Sequence, residues 1–170
     1  TGNCHKWLFA AKGTAFLHAR RDRHAGLHPP VISHGLDQGL HAEFDWPGTR
    51  DFTAWLALPD AIAFHQAHDS ASLRRHNRDL AAAMAAELVA AWGTERAVAA
   101  ALLGSMATIR LPLPGATPAD AQALHDRLID DFRVEVPVTA LHGTLWCRIS
   151  AQIYNEPADY HRLAAAVLAI

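Results

Sequence analysis

Only two cysteines occur in the chain, Cys4 and Cys147, and they are far apart in sequence. Usage this sparse excludes a disulfide scaffold and fits a reducing compartment, so a cytoplasmic location is expected. There is no uninterrupted apolar run of the roughly 18–20 residues that a membrane-spanning helix needs. Charge of one sign is also lacking: the formal net charge is −2, which argues against nucleic acid or a membrane surface as partner. The twelve histidines are scattered without ligand spacing, so no metal site is expected. Internal repeats and low-complexity linkers are absent. What remains is 170 residues at 51% hydrophobic and 19% charged content, enough to bury a sizeable core.

Three stretches carry chemistry. The first is Thr1-Gly2-Asn3-Cys4-His5-Lys6-Trp7-Leu8, followed by Ala11-Lys12-Gly13. A lysine that carries an aldehyde cofactor must be held in place and able to lose its proton, and small and apolar neighbours favour both. By itself a His-Lys pair near a terminus is more often a solvated surface pair. The second is Phe44-Asp45-Trp46-Pro47-Gly48-Thr49-Arg50-Asp51, a turn whose Asp51 can cap the following apolar run. A hydroxyl beside Gly at a helix entry can contact an anion, although a plain turn is the simpler reading. The third is Trp146-Cys147-Arg148-Ile149-Ser150-Ala151-Gln152-Ile153-Tyr154-Asn155. In a strand Trp146, Arg148 and Ser150 share one face and Cys147 and Ile149 the other. An arginine in such a strand needs an anionic partner, either a structural carboxylate or a bound one.

Between these stretches the pattern alternates. Gly13–Ala19 reads as a buried strand, ended by the charges Arg20-Arg21-Asp22-Arg23. His28-Pro29-Pro30 through Gly35 reads as an extended segment, since the prolines exclude a helix. Phe52–His68 is apolar at helical spacing, with Trp55, Leu58, Ile62 and Phe64 inward and a kink or restart at Pro59. Ser72–Trp92 reads as a long helix stopped by Gly93, with Leu73, Asn77, Leu80, Met84 and Leu88 along one side. Met106–Leu111 reads as a strand. Thr117-Pro118-Ala119-Asp120 opens a helix with Ala121, Leu124, Leu128 and Phe132 inward. Val134–Val138 and Leu145–Ala151 read as strands around a His142-Gly143 turn, and a last helix starts at Asn155-Glu156-Pro157.

Taken together, the three stretches resemble the class V aminotransferase-like family of pyridoxal-phosphate enzymes. Within it they are most similar to the isopenicillin N epimerase-like branch, whose pattern reads G-N-x-H-K-W-L-x-A-x-K-G, then W-x-G-T-R-D, then R-I-S-x-x-x-Y-N. The resemblance implies that Lys6 carries pyridoxal 5'-phosphate and later acts as base. It implies that His5 and Asn3 contact the cofactor phosphate, and that Thr49 reaches the partner's phosphate across a homodimer. It also implies that Arg148 binds the α-carboxylate of an amino-acid substrate.

The implied fold is α/β: the end of the large domain of a fold-type I enzyme in residues 1–70, a connecting helix in 71–93, and a small C-terminal α+β domain in 94–170. The family's lysine lies well inside its chain, so this sequence is expected to be the C-terminal portion of a longer protein and inactive alone. Epimerisation at the α-carbon is the first reading, and C–S cleavage of a cysteine conjugate or sulfoxide the alternative. Desulfurases of the family place a nucleophilic Cys before the Arg motif, and Val138–Thr144 has none. A reading of another class is an inactive module that only dimerises or packs on a partner.

Overall fold

Asp69 ends one run of the chain and starts another. In the computed structural model, which describes residues 1–170, the protein divides there into two units, Thr1–His68 and Asp69–Ile170.

The first unit contains short elements: β1 (Gly2–Asn3), α1 (Cys4–Trp7), β2 (Ala15–Phe16), α2 (Leu40–Phe44), α3 (Thr53–Leu56) and α4 (Leu58–Ala67), with a 3-10 turn at Arg21–Gly26. β1 and β2 form an antiparallel pair in which Gly2 faces Phe16 and Asn3 faces Ala15. The buried strand expected over Gly13–Ala19 is therefore corrected: only Ala15 and Phe16 are in a strand, and both are exposed. A pair of two-residue strands has no third neighbour to cover it, and Thr14, not the apolar residues, is the fully buried side chain there. The expected helix over Phe52–His68 is broken at Ala57, and Pro59 stands in the first turn of α4, where its missing N–H is not needed. Its expected inward stripe is also corrected. Trp55, Ile62 and Phe64 are exposed, and Ala61 is the buried residue of α4.

The second unit is built on α5 (Ser70–Trp92), β3 (Met106–Arg110), α6 (Pro118–Phe132), β4 (Val138–Leu141), β5 (Thr144–Ser150) and α7 (Pro157–Leu168). α5 starts because the Asp69 carboxylate accepts from Ala71 N and Ser72 Oγ, and it stops because Gly93 adopts a left-handed φ of 62°. The Thr117/Asp120 capping box opens α6 as its sequence predicts: Asp120 N donates to Thr117 Oγ1 at 3.2 Å and Thr117 N to Asp120 Oδ2 at 2.9 Å. Glu156 and Asp159 do the same for α7.

The three strands form an antiparallel sheet in the order β3-β5-β4, with Arg148 opposite Thr108 and Cys147 opposite Ile109 and Val138. The β4–β5 hairpin closes through His142 and Gly143, at φ 50° and 75°, whose positive values match the strand twist. Along β5 burial alternates: Leu145, Cys147 and Ile149 are buried, while Arg148 and Ser150 are exposed. α5, α6 and α7 supply Met84, Leu88, Trp92, Leu124, Leu128, Leu163 and Val167 to the same core. No helix of the protein is long and apolar enough to cross a membrane.

Val134–Val138 is not a strand; pairing begins only at Val138. Val134 and Val136 are buried, so the alternation in that segment records burial rather than pairing. Pro137 has no N–H to give, but its carbonyl accepts from Arg148 N at 3.1 Å, and Val134 N donates to Leu128 O at 3.0 Å.

A buried polar pair ties α5 to the segment after β5. Asn77 Nδ2 donates to Gln152 Oε1 at 2.7 Å, and the same oxygen accepts from Ile153 N at 2.8 Å. Gln152→Ala leaves the buried Asn77 amide without its acceptor and frees the N–H of Ile153. Chemical denaturation should show a loss of about 2–3 kcal/mol; a change within about 0.5 kcal/mol, typical of surface positions, would mean that the pair is not stabilising.

Candidate active site

In the first unit, α1 turns the motif so that Cys4 is buried and Lys6 is exposed. Two bonds to one carbonyl hold its entry: Cys4 N donates to Thr14 O at 3.0 Å, and His5 Nδ1 lies 3.1 Å from the same oxygen. A carbonyl only accepts, so Nδ1 carries the proton and Nε2 is left as the free ring nitrogen. The exit is held by Phe9, at φ 62°, whose ring stacks on His65 at 5.3 Å and meets Phe64 edge-on at 5.6 Å. Lys6 therefore projects from a helix of one turn anchored at both ends.

Asn3 precedes α1 and its side chain makes no cap bond. It borders a cavity of about 870 Å³ together with Phe16, His41, Asp45, Arg50 and Trp55. Lys6, His5 and Thr49 are not among the residues that line it. Thr49 is exposed in the turn after Gly48, whose φ is 115°. The next residue, Arg50, lays its guanidinium over the rings of Phe52 and Trp55, at 5.0 and 5.6 Å. Asp51 accepts from Thr53 N at 2.8 Å in a turn just ahead of α3, and Thr53 holds its carboxyl below the usual value. The expected Asp51 cap is corrected, because the N-cap position is Phe52, which has no side-chain cap bond. Sequence reasoning missed Arg50; the signal was an arginine with aromatic residues on both sides in Trp46–Trp55.

In the second unit Arg148 lies on the open face of the sheet, not in its apolar interior. It borders a pocket of about 270 Å³ with Glu135, Ser150, Tyr154, Asn155 and Asp159. Both carboxylates there are engaged elsewhere. Glu135 meets His125 Nε2 at 3.0 Å, and Asp159 accepts from Asn155 Nδ2 at 3.1 Å and Glu156 N at 3.2 Å. Arg148 itself makes no ion pair, which leaves its planar fork available to a bound carboxylate. The Tyr154–Asn155 end of the pocket is shaped by Asn155, whose Oδ1 accepts from Gln152 N at 3.0 Å, and Tyr160, whose hydroxyl donates to Ser150 O at 2.8 Å. Gln152 is the second residue that the sequence reading passed over; a polar side chain in an apolar segment was the available signal.

Cys147 points into the core on the opposite face, fully buried, and burial pushes its thiol up to about 12. It is neither a thiolate nor within reach of the open face. Cys4 is buried too. A thiol-alkylating reagent at mildly alkaline pH should leave both cysteines unlabelled in the folded protein and label both in denaturant; rapid native labelling of Cys147 would contradict this placement. No group of three or more His, Cys, Asp or Glu is arranged to hold a metal ion.

No family model matches the chain. It is 34% identical over 182 residues to a probable L-cysteine desulfhydrase, chloroplastic, of Arabidopsis thaliana, an alignment that covers 98% of this chain and 38% of that protein. It is 34% identical over 186 residues to the isopenicillin N epimerase of Amycolatopsis lactamdurans, covering 98% and 45%. With the isopenicillin N epimerase of Streptomyces clavuligerus it shares 31% over 188 residues, covering 99% and 46%. The chain thus spans less than half the length of these relatives. The alignments run over nearly the whole chain, so this protein is a homologue of the L-cysteine desulfhydrases and isopenicillin N epimerases, matched to the C-terminal part of those proteins.

Proposed function

We propose that the full-length protein is a pyridoxal-phosphate-dependent enzyme acting at the α-carbon of an amino acid, with C–S cleavage of a cysteine-type substrate as its reaction. The observation that carries this reading is the unpaired guanidinium of Arg148 in its pocket, a receptor for a carboxylate.

The donor set of the first unit fits the cofactor. Lys6 offers an exposed primary amine for an aldehyde. The Asn3 amide and the Thr49 hydroxyl are short neutral donors suited to phosphate oxygens. His5 is assigned beside them by the family resemblance alone, since its Nδ1 proton is already given to Thr14 O. When bound, pyridoxal phosphate supplies the electron sink for cleavage at the α-carbon. Lys6 accepts the α-proton as general base, and Arg148 orients the substrate by its carboxylate. Thr49 is assigned to the phosphate of a partner subunit in a homodimer. The first unit is read as the end of a fold-type I large domain and the second as the small domain. The activity belongs to the full-length protein, because the relatives are more than twice as long as this chain.

Cleavage is preferred to epimerisation on two grounds. Elimination asks for one base and a leaving group, whereas epimerisation asks for a second acid on the other face. Four relatives at 33–35% identity are named L-cysteine desulfhydrase or its putative or probable form. Cys147, buried with its thiol pushed up to about 12, supplies no sulfur acceptor, so the sulfur leaves as a free thiol or sulfide. Epimerisation stands as the second reading on the 34% identity to an isopenicillin N epimerase.

The test is incubation of full-length protein and pyridoxal phosphate with L-cysteine and with cysteine conjugates. Sulfide or thiol release in step with pyruvate and ammonia is the expected result. Inversion at the α-carbon without sulfur release supports the second reading, and neither product from any amino acid tested overturns the proposal.

A further inference from the structure

Ala71, Arg74, Arg75 and Arg78 of α5 stand at i, i+3, i+4 and i+7, so they share one stripe of the helix. The adjacent stripe, Leu73, Asn77 and Ala81, is buried. The arginine stripe borders the Gly104-Ser105 turn ahead of β3, and these six residues line a pocket of about 470 Å³. Three guanidinium groups line it and no carboxylate does.

That arrangement works against the helix. Arg74 and Arg78 are like charges at i, i+4, and Arg75 and Arg78 are like charges at i, i+3. The protein relieves this only in part. Arg78 meets Asp79 at 3.2 Å, with both side chains more than half exposed. Arg75 Nη2 donates to the neutral hydroxyl of Ser72 at 2.6 Å. Asp69 accepts from Ala71 N and Ser72 Oγ as the helix cap and also feels the charge of Arg75. Arg74 has no ion pair.

The opposite wall is open. A Cβ built on Gly104 would meet nothing within 4 Å. The Ser105 carbonyl is used by Ala151 N at 2.8 Å, while its hydroxyl makes no hydrogen bond and remains a donor.

We propose that this pocket is a binding site for a diphosphate-bearing anion. Arg74 has no ion pair, while Arg78 and Arg75 are held only by an exposed carboxylate and a neutral hydroxyl. A diphosphate presents several anionic oxygen pairs that neighbouring planar forks can share, which a single carboxylate cannot. The site is separate from the phosphate contacts assigned above to Asn3, His5 and Thr49, and it does not depend on that assignment.

Calorimetric titration of the purified protein with inorganic pyrophosphate tests it. Saturable binding is expected, weakening as salt is added. Arg74→Gln/Arg78→Gln should weaken it by about tenfold or more, while Thr49→Ala leaves it unchanged. Both arginines are exposed, so the double variant should fold, and its melting temperature without ligand should equal or exceed that of the parent. Adenosine diphosphate bound more tightly than pyrophosphate identifies the source as a diphosphate group on a larger molecule; weaker binding identifies free diphosphate. No saturable binding, equal affinity in the double variant, or loss in Thr49→Ala instead overturns the proposal.

Discussion

Lys6→Ala should abolish turnover in the full-length protein and remove the visible absorption expected of protein-bound cofactor. Loss of a positioned base costs on the order of 10²–10⁴-fold, and loss of the amine that holds the cofactor adds to it. The chain has only two lysines, Lys6 and Lys12, and both are exposed, so Lys12→Ala is a matched control. It should keep both activity and absorption. Neither substitution should move the melting transition by more than about 0.5 kcal/mol, because neither removes buried contact area. Undiminished turnover in Lys6→Ala would refute the role. A collapse of stability would show instead that the one-turn helix Cys4–Trp7 depends on this side chain.

Arg148→Lys is the second large effect expected. The charge survives, but the two-pronged contact to a carboxylate does not. A hydrogen bond to a charged group contributes about 1.5–3 kcal/mol, so KM for the amino acid should rise by roughly 10–100-fold. Little effect on folding is expected, since Arg148 is exposed on β5 and makes no ion pair. The measurement pairs steady-state kinetics with thermal melting. A large fall in melting temperature at unchanged KM would assign the residue to the fold rather than to substrate.

Much of the second unit was legible from residue order, for local reasons. Thr117-Pro118-Ala119-Asp120 announces a helix because its cap bonds close within four residues, and they do. Gly93 ends α5 by its own φ. The two faces of β5 follow from a period of two, so Arg148 and Cys147 on opposite sides could be stated before any tertiary contact was known.

Non-local features were not legible. Val134–Val138 has the alternation of a strand, but pairing depends on what lies beside it, and Pro137 and the α6 terminus decide that its valines are buried without a ladder. Gly13–Ala19 and Phe52–His68 are apolar enough to be buried, yet burial needs a covering surface, and within Thr1–His68 few side chains obtain one. The pairing of Asn77 with Gln152 joins residues 75 positions apart, and the arginine pocket needs α5 and the Gly104-Ser105 turn side by side. Sequence by itself determined the motif residues, the Thr117/Asp120 cap, the Gly93 stop and the faces of β5, because those rest on bonds and periods within a few residues. Only the tertiary structure decided which apolar stretches are covered, that Arg148 has no carboxylate partner, and which polar groups meet, because those depend on distances between segments remote in the chain.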